Sequence, residues 1–332
     1  MYSKHKSIKK KSKSKSRKKY AGRKRNFTSK QTNIEIVKPQ QQMACNLALK
    51  KKKITQSSCY TPDVLAKIKD AYNKAHPTTQ ILSTDPLVVW KELKSKLNCG
   101  KEDCWLHQIK DESLRNKLDT YIFAPDAPPK WKLNPIEWLS NYDIDNVISQ
   151  YEAEYPNFVL LGPSPIDFDT VINNTCVEQS ICSISLQEMI SKKKTHIGFV
   201  FNLDKHNQPG SHWVSMFVDI PNQYIFYFDS AGDGPSKEVV ALKNKLVEQG
   251  KQLSNPIVFK YYDNEGRDHQ KHNTECGVYS IYFIITMLTG IPVGSQNAKP
   301  LSIQKRIHLF KHENLKDDVM IKCRQLLFNL PN

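Results

Sequence analysis

The apolar positions of this chain fall into three regimes. Residues 1 to 53 contain almost no apolar run. Between Cys59 and about Leu118, apolar residues recur at helical spacing: Val64, Leu65, Ile68 and Tyr72 form one stripe, and Leu87, Trp90, Leu93 and Leu97 a second. Thr61 as an N-cap with Pro62 at the first helical position predicts a helix through Ala75, and Pro86 opens another to Leu97. From Ile136 the period changes. Runs rich in β-branched and aromatic residues predict strands at Phe158 to Leu161, Ile197 to Leu203, His212 to Ile220, Tyr224 to Asp229 and Ile257 to Tyr262. Helices are expected after Trp138, at Thr175 to Ser191, at Ser236 to Gln252, from Cys276 to Leu288, and over Ser302 to Leu330. No internal repeat is present, and the alternation of elements predicts an α+β chain.

Composition divides the chain further. Residues 124 to 135, APDAPPKWKLNP, are too rich in proline for regular structure and read as a linker. The expected organisation is therefore a tail (1–53), a helical accessory module (54–123), the linker (124–135) and a second domain (136–332). The formal net charge of +16 belongs to the tail, which holds 19 Lys and Arg and a single acid, Glu35. The remaining 279 residues carry 30 basic and 32 acidic side chains. Such a density of like charge opposes compaction, so the tail is expected to be disordered. Its lysines suit nucleic acid, which they would bind by releasing counterions from phosphates without reading sequence. They would equally serve as a nuclear address. The tail lacks the apolar segment of a secretory signal, and the longest apolar run, Val278 to Leu288, is about half a membrane span. A soluble protein with no membrane partner is expected.

Eight cysteines scattered over 332 residues do not have the density of a disulfide scaffold, which points to a reducing, intracellular setting. Cys99 and Cys104, with His107 nearby, invite a zinc reading. Structural zinc needs four ligands and no second pair follows, so no metal is assigned. Cys176 and Cys182 fall within an expected helix and read as core.

One stretch carries chemistry. In His269-Gln270-Lys271-His272-Asn273-Thr274-Glu275-Cys276-Gly277, a cysteine stands at the mouth of an apolar helix. A thiol there meets the partial positive charge of the first helical turn, which favours the thiolate. Upstream, His212 begins one expected strand and Asp229 ends the next, with a turn at Pro221-Asn222-Gln223 between them. Antiparallel neighbours put such ends side by side, so Asp229 can orient His212 while the other ring nitrogen faces the thiol. The backbone N–H of Cys276 and the side-chain amide of Gln270 are the natural donors to an oxyanion. Trp213 is placed to roof a substrate groove. His269 and His272 are poorer bases, because no strand holds them. No cofactor is required.

His212-Trp213, Asp229-Ser230 and Gln270 followed by Glu275-Cys276-Gly277 resemble the cysteine proteases that process ubiquitin-like modifiers, the SUMO-protease family. They equally resemble the related adenovirus-type and African-swine-fever-type virus proteases. Trp138-Leu139-Ser140-Asn141 is similar to the family motif that lines the substrate channel. The resemblance implies a papain-like catalytic domain with His212, Asp229 and Cys276 as the triad, Gln270 as oxyanion donor, and Trp138, Asn141 and Trp213 against the substrate. Cellular members usually carry Asp before the nucleophile; Glu275 and the extra helical module tilt the resemblance toward the large-DNA-virus proteases. It implies a maturation protease that cuts structural polyproteins after small residues such as Gly-Gly, acting in the virion or the viral factory. The alternatives are a deconjugase of ubiquitin-like proteins and, in another class, an inactive binding scaffold tethered to nucleic acid.

Overall fold

The computed structural model describes residues 43–49, 52–55, 57–295 and 298–330. The expectation of a disordered, nucleic-acid-binding tail falls on residues that lie, up to position 42, outside the described ones. Helices α1 (Pro62–Ala75), α2 (Pro86–Leu97) and α3 (Glu112–Ile122) build the accessory module. The first stripe is buried as expected: Val64, Leu65, Ile68 and Tyr72 share a cluster with Val89, Leu93, Leu118 and Ile122. In the second stripe Leu93 is buried and Trp90 and Leu97 are partly buried, whereas Leu87 is exposed with Val89 packed in its stead. Asp85 and Asp111 cap α2 and α3 by accepting from backbone N–H groups of the first turn.

Beyond the module, α4 (Asn141–Glu154) leads into β1 (Phe158–Pro165). After the short hairpin β2 (Val171–Ile172) and β3 (Thr175–Cys176) come the small helices α5 (Gln179–Cys182) and α6 (Leu186–Ser191). Then follow β4 (His196–Asn202), β5 (Trp213–Asp219), β6 (Tyr224–Phe228), α7 (Lys237–Gln252), β7 (Lys260–Asp263) and α8 (Cys276–Thr289). Helices α9 (Ile303–His312) and α10 (Asp317–Leu327) end the fold. The sheet runs β1-β4-β5-β6-β7, antiparallel at its centre and parallel at both edges. Every residue of β5 is buried, so its alternation sorts side chains between two covered faces. Trp213 and Phe217 join the cluster around α8 and α4, while Val214, Met216 and Val218 join the cluster under α6 and α7. Helix α8 is buried from Cys276 to Met287, as expected of a helix apolar all round.

Several expectations are corrected. The single helix expected over Thr175 to Ser191 is instead a hairpin and two short helices. Glu178 and Ser185 each cap a new helix start there, so local side-chain bonds compete with a continuous helix. The helix expected over Ser302 to Leu330 breaks at residues 313–316, where Leu315 turns inward and its N–H donates to His269 Nδ1. Six of the eight cysteines are paired, as Cys45–Cys59, Cys99–Cys104 and Cys176–Cys182, and Cys276 and Cys323 are free. Cys176 lies on β3 rather than in a helical core.

The stretch read as a linker is packed into the fold. Ala124 N–H donates to Ala44 O, Ala127 N–H donates to Asn329 O, and Trp131 is buried against Phe328. Residues 43–49, assigned to the tail, are likewise ordered. Asn329 knits the three segments together: its amide NH2 donates to Ala44 O and Ala124 O, and its Oδ1 accepts from Ala44 N–H. Gln150 of α4 adds bonds to Thr120 O and Phe123 O. Each is a buried polar side chain that bonds backbone groups of distant segments, among them Ala44 N–H, Ala124 O, Thr120 O and Phe123 O.

Asn329→Ala is expected to leave several of these groups unpaired and to lower the unfolding free energy by about 1–3 kcal/mol. Urea unfolding of the full chain measures this; an unchanged midpoint would mean that module and catalytic domain do not depend on Asn329.

Candidate active site

His212 precedes β5 and Asp229 follows β6, so the antiparallel register brings both to one edge of the sheet. His212 Nε2 lies 2.7 Å from Asp229 Oδ1, and the same oxygen accepts from Ala231 N–H at 2.8 Å. Asp229 is 1% exposed. Cys276, at the head of α8, is close enough to the imidazole to act on its protonation. Burial alone would lower the histidine pKa. The hydrogen bonds and charges of Asp229 and Cys276 outweigh it and raise the value to about 10, so the ring is held as an imidazolium.

Cys276 is the first residue of α8 and is 2% exposed. The loop before it has no regular structure, yet it is held throughout by distant groups. Asp317, at the start of α10, accepts at Oδ2 from the backbone N–H groups of Lys271 and His272, and at Oδ1 from Tyr279 Oη. Arg324 Nε donates to Glu275 Oε2 at 2.7 Å, and Thr274 Oγ1 donates to the other carboxylate oxygen. His269 is fully buried against Phe228 and Tyr279, with Nε2 bonded to Phe310 O and Nδ1 accepting from Leu315 N–H. Both ring nitrogens are therefore committed to backbone, and burial lowers the pKa. His269 is excluded as a base by these bonds and not, as expected, by mobility.

Gln270 lies beside the Asp229 turn. Its backbone N–H and that of His269 both donate to Ser230 O, and Ser230 Oγ donates to Gln270 Oε1 at 2.7 Å. The carbonyl end of the amide is thereby occupied, which leaves Nε2 as the donor an oxyanion needs. Asn264 braces the other side: it accepts from Asp229 N–H and donates to Asp229 O and Arg267 O. Gly232, at φ +72°, closes this turn where a Cβ would lie 2.6 Å from the Arg267 backbone. The sequence reading missed Ser230 as the orienter of Gln270, as well as Asn264, Asp317 and Arg324. All four are common polar residues with no local motif, and only their long-range partners mark them.

Trp138, Asn141 and Trp213 line one cleft of about 850 Å³. Trp213 Nε1 donates to Leu139 O at 3.0 Å, and a Cβ added at Gly277 would lie 3.0 Å from Leu139. The cleft wall thus reaches the first turn of α8 beside Cys276. Ser140 caps α4 in a reciprocal bond with Asp143, which fixes the turn that presents Trp138 and Asn141. Among the described residues no cluster of three or more His, Cys, Asp or Glu side chains could hold a metal ion.

A mixed sheet with a cysteine-headed buried helix against it, and an imidazole between that cysteine and a buried carboxylate, defines the class of thiol hydrolases. Residues 182–324 match the family model described as the Ulp1 protease family, C-terminal catalytic domain. The chain is 32% identical over 275 residues to a protein of Acanthamoeba polyphaga mimivirus named as a thiol protease, covering 75% of this chain and 86% of that protein. It is 26% identical over 246 residues to a cysteine protease of African swine fever virus, covering 68% of this chain and 88% of the relative. The crystal structure of an African swine fever virus protease superposes with a TM-score of 0.56 at 19% identity, over 87% of this chain and 96% of the other, and so shares its fold. The chain belongs to the Ulp1-type cysteine protease family, on the side shared with large-DNA-virus proteases, and is a thiol protease.

An imidazole NMR titration is expected to find His212 protonated at neutral pH and releasing its proton near 10. Asp229→Asn removes the charge and turns the charge-assisted hydrogen bond into a weaker neutral one. The charge and the stronger bond both raise this value in the wild type, so the transition should move to lower pH. A His212 transition at the ordinary value of about 6.5 in the wild type would refute the arrangement.

Proposed function

We propose that the chain is an endopeptidase in which Cys276 is the nucleophile, His212 the acid–base group, Asp229 its orienter and Gln270 an oxyanion donor. The observation that carries this reading is the imidazole of His212, bonded at 2.7 Å to the buried Asp229 and acted on by the cysteine at the head of α8. Cys276 Sγ attacks the scissile carbonyl carbon, and negative charge develops on its oxygen. The Cys276 backbone N–H and Gln270 Nε2 receive that charge. The C–N bond then breaks as His212 gives its proton to the leaving amine. Water, deprotonated by His212, hydrolyses the thioester and frees the thiolate.

The cleft between Trp213 and the Trp138–Asn141 turn is the substrate path. Small residues before the scissile bond, of the Gly-Gly-X kind, are proposed on the resemblance to the family. The viral origin of the relatives supports viral structural polyproteins as substrates, with the enzyme acting in the virion or the viral factory. Other relatives from African swine fever virus are named SUMO-1 cysteine proteases, which supports conjugates of ubiquitin-like proteins as the second reading. A nucleic-acid tether through the basic segment would keep it near those substrates; most of that segment lies outside the described residues.

Incubation with a Gly-Gly-X peptide library and mass spectrometry tests activity and specificity together. Cys276→Ala and His212→Ala are expected to abolish cleavage with little change in fold, and full activity in Cys276→Ala would sink the assignment. Gln270→Ala should lower kcat roughly 10²- to 10³-fold with KM nearly unchanged, because its amide is used only once the oxyanion forms. Equal losses in substrate binding would remove Gln270 from that role.

A further inference from the structure

Arg324 is 2% exposed, and each of its three guanidinium nitrogens is used. Nε donates to Glu275 Oε2 at 2.7 Å, one terminal nitrogen donates to Thr274 O at 2.8 Å, and the other donates to Glu137 O at 2.7 Å. The plane of the group stacks 4.7 Å from the Trp131 ring. Thr274 and Glu275 are the last two residues before Cys276, whereas Glu137 immediately precedes Trp138 and Leu139 in the cleft wall. One side chain from α10 therefore holds both the two residues before Cys276 and the segment that enters the cleft wall.

A buried ion pair of this kind is a poor investment in stability, since desolvation offsets most of its attraction. Its geometric content is the larger effect: a planar fork with three fixed directions sets three acceptors at once, which an ammonium point charge does not do. We propose that Arg324 is a positioning residue for the cleavage reaction, fixing Cys276 relative to His212 and to the cleft wall through Glu275, Thr274 and Glu137. The proposal rests on the reading of Cys276 as the nucleophile. It also gives Glu275 a role: its carboxylate is the anchor that carries the pull of Arg324 to the residue next to the thiol.

The test uses the full chain and three measurements: the rate of Cys276 alkylation by iodoacetamide between pH 5 and 9, read by mass spectrometry; kcat and KM on one Gly-Gly-X peptide; and the thermal unfolding midpoint. Arg324→Lys keeps the buried positive charge and loses the fork. Glu275→Gln/Arg324→Met leaves no buried charge and keeps the question answerable if the lysine variant does not fold. In whichever variant folds, alkylation at pH 6 and kcat are expected to fall together by roughly tenfold to a hundredfold, with KM within about twofold. A folded variant with a lowered midpoint but the wild-type alkylation profile and kcat would reduce Arg324 to a structural role and overturn the proposal. Wild-type protein that is not alkylated selectively at Cys276 would overturn the nucleophile assignment itself, a separate and recognisable result.

Discussion

A nucleophile delivered on an irregular loop is only as well placed as the contacts that hold the loop. Here residues 264–275 connect β7 to α8 without a strand or helix of their own, and the thiol geometry depends on polar groups reaching in from elsewhere. Asn264 and Ser230 tie the loop to the Asp229 turn, while Asp317 and Arg324 tie it to the C-terminal helix. His269, with both ring nitrogens bonded to backbone carried by the α9–α10 segment, fills the gap beneath. Each of these groups is buried or nearly so, which makes the bonds expensive to break and their geometry narrow. The C-terminal helices are in this sense part of the site, although they touch none of the reacting atoms.

The same economy joins the accessory module to the catalytic domain. The connection between them is a packed segment in which the backbone of residues 44, 124, 125, 127 and 329 is mutually bonded. Prolines there limit regular structure to one 3-10 turn, Pro129–Lys132, without precluding order. They remove donors and hold the chain extended, and the amides of Asn329 and Gln150 complete the pairing. Because Trp131 in this segment also lies under Arg324, the module's attachment and the side chain that holds the loop before Cys276 share one piece of core.

The cysteines divide along functional lines. The three bonded pairs lie in the module, its preceding segment and the β3–α5 corner, where local loops are closed. Cys323 stays free, buried beneath the C-terminal helices with its thiol pushed up to about 12 by desolvation, and is therefore inert. Cys276 stays free at the site, beside an imidazolium.

What the sequence determined by itself was whatever short-range chemistry encodes. Periodicity placed α1, α2, α7 and α8 within a residue or two, because stripes and caps are local. His212, Asp229 and Cys276 could be singled out as candidates because each stands at the boundary of an element whose type the neighbouring residues declare, and Gln270, inside the irregular loop, by its place six residues before the cysteine. The helices around residues 175–191 and the break at 313–316 were not legible. Caps at Glu178 and Ser185 compete with helix propensity in the first, and an inward turn of Leu315 to the distant His269 does so in the second. Only the folded chain could decide that Glu275 belongs to Arg324, 49 residues away, and that Gln270 is turned by Ser230, 40 residues before it. A buried polar group has no preferred sequence neighbour. Its partner is chosen by the geometry of the core, which exists only once the distant segments have met.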